Sequence, residues 1–343
     1  MQQNDWGLPA PPDVPSVSGF APWRVVIAAG ISAALVVAAA VIPIPVFFRY
    51  LPGPVRDVQK LVQVEQAKTY SSEGQLFLTT VSVDTSVTFF EIVETALDPT
   101  KDLVMKEEVT GGQSLETVRD QQIEAMRRSK QAARQIALSA VGIPAGAGAR
   151  VLSTVEGAPA DGLFEEGDRV VAVDGTEVTT ACDVIEAVNE RRAGDTLRID
   201  VVREGRRRAL TVTAADHPAQ PGAAFVGIEM ADVKGSSVGV KFRTGDIAGP
   251  SAGLMFSLAL YDRLTPDDLT HGRKIAGTGE IACGGAVGPI GGIEEKVAGA
   301  ERAGAEIFLA PALNFADAQT AAGDIEVISV STFQEAVDYL EAL

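Results

Sequence analysis

The sequence predicts an α/β (α+β) protein in which at least two soluble domains follow a single membrane helix. Three observations carry that expectation. One 24-residue stretch, Val25 to Phe48, holds no charge; strand-like and helix-like periodicities alternate along the C-terminal third; and the 343 residues exceed the about 100–200 that one domain usually takes. The balance of 29 Lys and Arg against 46 Asp and Glu gives a net charge of −17. That argues against a nucleic-acid partner, because neutralising phosphates needs a surplus of basic residues on some face.

The apolar stretch is bounded by Arg24 and Arg49, and as a helix it would span roughly 36 Å, more than the about 30 Å of a hydrocarbon core. It leaves through Ile42-Pro43-Ile44-Pro45-Val46-Phe47-Phe48 rather than through a small-x-small cleavage site, so it reads as an uncleaved span over residues 24–48 behind a disordered tail, residues 1–23. Counting Arg24 before it against Arg49, Arg56 and Lys60 after it would place the C-terminal bulk in the cytoplasm.

Residues 49–140 open the soluble part. Leu76 to Val81 and Val87 to Phe90 are rich in Val, Thr, Leu and Phe and read as strands. Ser114 then starts a long helix in which Leu115, Val118, Gln122, Met126, Ala133 and Ile136 recur at helical spacing, with Arg119, Arg127, Arg128 and Arg134 on a solvated face.

A separate module is expected over residues 141–215. Gly148 to Val155 reads as a strand, Gly157-Ala158-Pro159-Ala160 as a turn into a short helix, and Arg169 to Val173 as a strand closed by Asp174-Gly175. A helix from Thr180 to Arg191 and two strands, Thr196 to Arg203 and Arg208 to Thr213, complete it. This order, with Gly-Ala-Pro-Ala followed by Leu, Gly-Asp and Val-Asp-Gly, resembles a bacterial PDZ domain, which takes up peptides by adding a strand to its sheet edge. His217 to Gly222 reads as a linker. Cys182 and Cys283, far apart in the chain, are read as small packed residues rather than a disulfide or a metal site.

Residues 216–343 carry the chemistry. Gly249-Pro250-Ser251-Ala252-Gly253 precedes the apolar run Leu254 to Leu260, so Ser251 sits where a buried helix begins. Its hydroxyl either caps that helix or attacks a carbonyl beside free amides at the positive end of the helix dipole. Further on, Gly277-Thr278-Gly279-Glu280-Ile281 leads through a glycine-rich segment into a helix from Ile293 to Arg302. There Lys296 falls within about 60° of the apolar face formed by Ile293, Val297 and Ala300. A lysine directed into a core loses its charge more readily, and a neutral lysine can take the proton that makes serine a nucleophile. With two histidines in the chain, His217 and His271, a histidine-dependent site has few ways to be assembled; His271 with Ser251 is the alternative, and a lysine base needs neither histidine.

Gly249-Pro250-Ser251-Ala252-Gly253, Thr278-Gly279-Glu280-Ile281 and Pro289-Ile290-Gly291-Gly292-Ile293-Glu294-Glu295-Lys296 together resemble the proteolytic domain of Lon-type serine peptidases, family S16. Membrane span, PDZ domain and Lon-type domain in that order are similar to the bacterial membrane-anchored Lon-like proteases of the YlbL kind. The resemblance implies Ser251 as nucleophile, Lys296 as general base, Thr278 as the residue that orients the lysine, and the Ser251 amide in the oxyanion hole. It also implies a PDZ domain inserted into the catalytic domain, a hexameric ring, and a catalytic part outside the cytoplasm, against the charge count. Ala248 stands where many relatives place an acidic residue three before the serine, so no role for that acid transfers. No Gly-x-x-x-x-Gly-Lys-Ser/Thr phosphate loop occurs, and neither a cofactor nor a metal is expected. The expected function is ATP-independent cleavage of unfolded or membrane-proximal proteins, recruited or gated by a peptide in the PDZ groove. A membrane-tethered PDZ adaptor with an inactive Lon-type domain is the rival reading.

Overall fold

The structure is a computed structural model that describes residues 22–218, 220–235, 237–245 and 247–343. Nearly all of the expected N-terminal tail lies outside these residues. Helix α1, Pro22–Val41, is long and apolar enough to cross a membrane, with a mean hydropathy of 2.3 over Trp23–Val41. It is shorter than the uncharged run. Pro43 and Pro45 lack the amide hydrogens a helix needs, and Phe47–Pro52 is a strand.

That strand is the centre of a three-stranded antiparallel sheet, between Val81–Asp84 and Asp102–Met105. Helix α2, Phe89–Leu97, lies between the two outer strands in sequence, where the run Val87 to Phe90 was expected to be extended. The Glu91 carboxylate accepts from the Thr88 amide at 2.8 Å, and this capping box starts a helix that residue type alone disguised as a strand. Helix α3, Lys106–Thr110, is followed by α4, Leu115–Ala140, whose first turn is capped by the Ser114 hydroxyl.

Residues 149–232 build the PDZ-like body. Its sheet runs in the order Arg206–Thr213, Thr196–Arg203, Arg169–Val173, Ala149–Thr154, Ile228–Asp232, with α5, Ala181–Asn189, packed against it. Asp174 and Gly175 both have positive φ, as a type I′ hairpin requires. The stretch read as a linker is a strand pair instead: Ala215–His217 pairs with Gln220–Phe225, and Ile228–Asp232 then returns to the edge beside Ala149–Thr154. The return of Ile228–Asp232 pairs distant chain and leaves no local pattern to read, while the hairpin before it carries Pro218, Pro221 and Gly222, residue types that read as linker.

The remaining residues form a three-layer α/β sandwich. Its sheet is ordered Arg56–Asp57, Gln75–Leu78, Lys274–Gly277, Ile307–Pro311, Glu326–Val330, parallel except at Arg56–Asp57. Because side chains alternate across a strand, Leu76, Leu78, Ile275, Ile307 and Leu309 pack on one face with α4, α6 (Gly253–Leu264) and α9 (Phe333–Glu341). Phe77, Ala276, Phe308 and Ala310 pack on the other, against α7 (Ile293–Arg302) and α8 (Phe315–Ala321). Thus α6 and α7 lie on opposite faces of the sheet, each starting near the C-terminal end of Lys274–Gly277.

The two bodies are fastened together. Gln131 and Gln135 of α4 donate to Asp232 and Asp183 at 2.9 and 3.1 Å, and Arg134 donates to the Ala145 carbonyl at 2.8 Å. Cys182 of α5 and Cys283 form a disulfide, with Cα atoms 5.1 Å apart across a sequence separation of 101. This corrects the reading of both cysteines as unlinked packed residues. Chain distance concealed their proximity, which exists because α5 docks on the turn Cys283–Gly285.

Candidate active site

Thr278 and Gly279, at the end of the central strand, hold both halves of the site. The Gly279 amide and the Thr278 hydroxyl both donate to the Ser251 carbonyl, at 2.8 and 3.0 Å, while the Gly279 carbonyl accepts from the Leu254 amide at 3.1 Å. The serine segment is therefore bolted to the strand by its backbone, which leaves its side chain free for other work. From α4, the Ser129 hydroxyl donates to the Pro250 carbonyl at 2.8 Å. Gly249 has φ +91° and Gly253 has no room for a side chain, since an added Cβ would lie 2.4 Å from Ser129 Oγ. Gly249 lets the chain turn sharply before the serine, and Gly253, in ordinary helical conformation, lets α4 approach closely after it.

Half-buried Ser251 is in a single 3₁₀ turn, Pro250–Ala252, directly before α6. The N-cap of that turn is Gly249 and that of α6 is Ala252, so Ser251 is not the residue that caps either helix. The residue lies instead at the start of a buried helix, beside the first amides and the positive end of the α6 dipole.

Lys296 enters from the other face. Its side chain is 3% exposed, and Nζ donates to the Thr278 hydroxyl at 3.2 Å. The Thr278 proton is committed to the Ser251 carbonyl, so the threonine oxygen is an acceptor for lysine N–H and fixes where Nζ points. Burial pushes the Lys296 ammonium down to about 7, opposed by the negative charge of neighbouring Glu295. Glu295 is itself buried, with a carboxyl raised to about 6 by the same loss of water, and its Oε1 has no hydrogen-bond partner among the described residues. The structure thus links Ser251, Thr278 and Lys296 through one hydroxyl.

Sequence reasoning did not select Ser129 or Glu295. Ser129 could have been found from its register, three residues after Met126 and four before Ala133 on the buried face of α4. Glu295 gave no such signal, being one of two adjacent acids in a first helical turn, where acids are common. Among the described residues no cluster of His, Cys, Asp or Glu suits a metal ion.

The sequence matches the family model of the Lon protease (S16) C-terminal proteolytic domain over residues 171–341. The chain carries a Lon-type (S16) proteolytic domain. A PDZ domain model matches residues 112–214, so the two matches overlap on strands that belong to the PDZ-like sheet. Lon protease 2 of Thermus thermophilus is 39% identical over 120 residues, 34% of this chain and 14% of that protein. Lon protease 1 of Sorangium cellulosum is 36% identical over 144 residues, 40% of this chain and 17% of that protein. The chain spans less than a fifth of the length of these two Lon proteases. A PDZ domain of an SdrC-like protein from Listeria monocytogenes is a partial structural likeness, at 20% identity and a TM-score of 0.23, covering 24% of this chain and 87% of that one.

Proposed function

We propose that this Lon-type chain is a membrane-anchored serine endopeptidase that cleaves unfolded or flexible proteins without ATP, with Ser251 as nucleophile, Lys296 as general base and Thr278 as the residue that orients it. The observation that carries the reading is the buried Lys296 held on Thr278, whose own hydroxyl is bonded to the Ser251 backbone. With Nζ neutral, its N–H groups serve Thr278 and its lone pair receives the Ser251 proton as Oγ attacks the scissile carbonyl. The Ser251 amide, at the start of the α6 segment, stabilises the oxyanion. Collapse breaks the C–N bond, Lys296 returns the proton to the leaving amine, and water then releases the acyl group from Ser251 by the reverse proton path.

Independence from ATP rests on the lack of a phosphate-binding loop in this sequence. The placement of the catalytic part outside the cytoplasm rests on the Cys182–Cys283 disulfide, since such bonds persist in oxidising compartments. That weighs more than a difference of two flanking charges. A peptide would enter the PDZ-like body as an extra strand beside Ile228–Asp232, next to α5, and would thereby touch the element that the disulfide ties to the catalytic body. The homohexamer is carried by the family resemblance.

Incubating the full chain in vesicles with an unfolded protein, without nucleotide, tests the reading. Cleavage that disappears in Ser251→Ala supports it. Cleavage retained at the parent rate in that variant, or none by the folded parent even with PDZ-directed peptides added, removes it in favour of the adaptor.

A further inference from the structure

Helix α2 exposes an apolar face that nothing in the described residues covers. Phe89, Phe90, Val93 and Leu97 are 50%, 47%, 41% and 80% exposed, and at 100° per residue they occupy one arc of about 100°. The acids of the same helix turn away from that arc. Glu91 and Glu94 both pair with Arg49 of the three-stranded sheet, at 3.2 and 3.0 Å, and Glu94, though half exposed, also binds Lys101, so ion pairs draw both acids toward the sheet side. A soluble helix normally shows the opposite polarity to solvent.

The position of α2 says what meets this face. Ile44 is three peptide steps beyond the end of α1 at Val41, a reach of at most about 11 Å. The Ile44 amide donates to the Val87 carbonyl at 2.7 Å, two residues before α2 begins. Cα atoms of α1 and α2 approach within 8 Å. Around the same exit Ile42, Val46 and Met105 are also more than half exposed, so the apolar surface is continuous from the membrane helix to α2.

We infer that α2 lies in the bilayer interface as a second, in-plane contact, with Phe89, Phe90, Val93 and Leu97 among the acyl chains just below the headgroups. The inference rests on the reading of α1 as a membrane span. It fixes the tilt of the catalytic body: two points of attachment, one spanning and one lying flat, hold the three-stranded sheet against the membrane, whereas α1 alone would leave it free to swing. The occupant is the lipid of the membrane that α1 enters.

Nitroxide labels on Leu35→Cys and Leu97→Cys of the full chain, reconstituted in phosphatidylcholine–phosphatidylglycerol vesicles, test it, because the native cysteines are joined to each other. Relaxation by oxygen, which partitions into lipid, is compared with relaxation by a water-soluble nickel chelate. The expected result is oxygen dominance at both sites, with the Leu97 label roughly 5–10 Å below the headgroup boundary. Nickel dominance at Leu97 with oxygen dominance at Leu35 overturns the inference and keeps the span. Nickel dominance at both overturns the span as well. A Leu97 label shielded from both reagents means another copy covers the face, and also overturns the inference.

Discussion

Two basic side chains largely withdrawn from solvent, Arg203 and Lys296, are treated in opposite ways. In the PDZ-like body Arg203 donates to both oxygens of Asp168, at 2.7 and 2.6 Å, and to the Leu163 carbonyl at 3.0 Å. Burial by itself would raise the Asp168 carboxyl, but the Arg203 guanidinium outweighs it and holds the group below its usual value. In the Lon-type body Lys296 has a hydroxyl for its partner and pays desolvation largely uncompensated, which brings it down to about 7. A buried cation with a carboxylate partner is architecture; one left with a hydroxyl is poised to lose its proton.

The contrast is broken or sharpened by substitution on each side. Lys296→Met is expected to lower cleavage of an unfolded protein by roughly 10²–10⁴-fold while the fold is kept, as steady-state kinetics with circular dichroism will show. Asp168→Ala should act the other way, costing about 1–3 kcal/mol of stability in urea unfolding because Arg203 loses both carboxylate bonds and keeps only Glu165 and the Leu163 carbonyl. Joining the two bodies, the disulfide closes a loop of about 100 residues, so Cys182→Ser with Cys283→Ser should cost about 2–5 kcal/mol in the same assay.

The pH dependence of stability has a definite sign. The folded protein holds Lys296 near 7 and the unfolded chain near 10.4, so between these values the unfolded state binds more protons. The stability deficit of the parent relative to Lys296→Met should be full below about pH 7, shrink as pH rises, and vanish near 10.4. Urea unfolding of both proteins at pH 6 and pH 9 checks this; an equal difference at the two values counts against a buried neutral lysine. Smallest is Thr278→Val, for which about a tenfold loss in kcat is expected from one lost hydrogen bond to Nζ.

Much of this was legible in the sequence. The alternation Leu76-Phe77-Leu78 divides the two cores, the apolar run from Leu254 marks a buried helix, and the 100° rule turns Lys296 inward. What escaped was decided by one or two atoms or by distant chain. Glu91 converted a β-rich string into α2 through its carboxylate, which accepts from the Thr88 amide and hydroxyl. Two prolines cut the apolar run short at Val41. The Cys182–Cys283 bond and the return of Ile228–Asp232 to the PDZ sheet join residues whose local surroundings record nothing of each other.

The central claim is that a neutral, buried Lys296 activates Ser251. It is met most directly by reacting the full chain with a fluorophosphonate across pH 5 to 9 and mapping the modified residue by peptide mass. The account predicts label on Ser251, with a rate that rises with pH through an apparent pKa of about 7 and collapses in Lys296→Met. Label on another residue, or an unchanged rate in Lys296→Met, would contradict it.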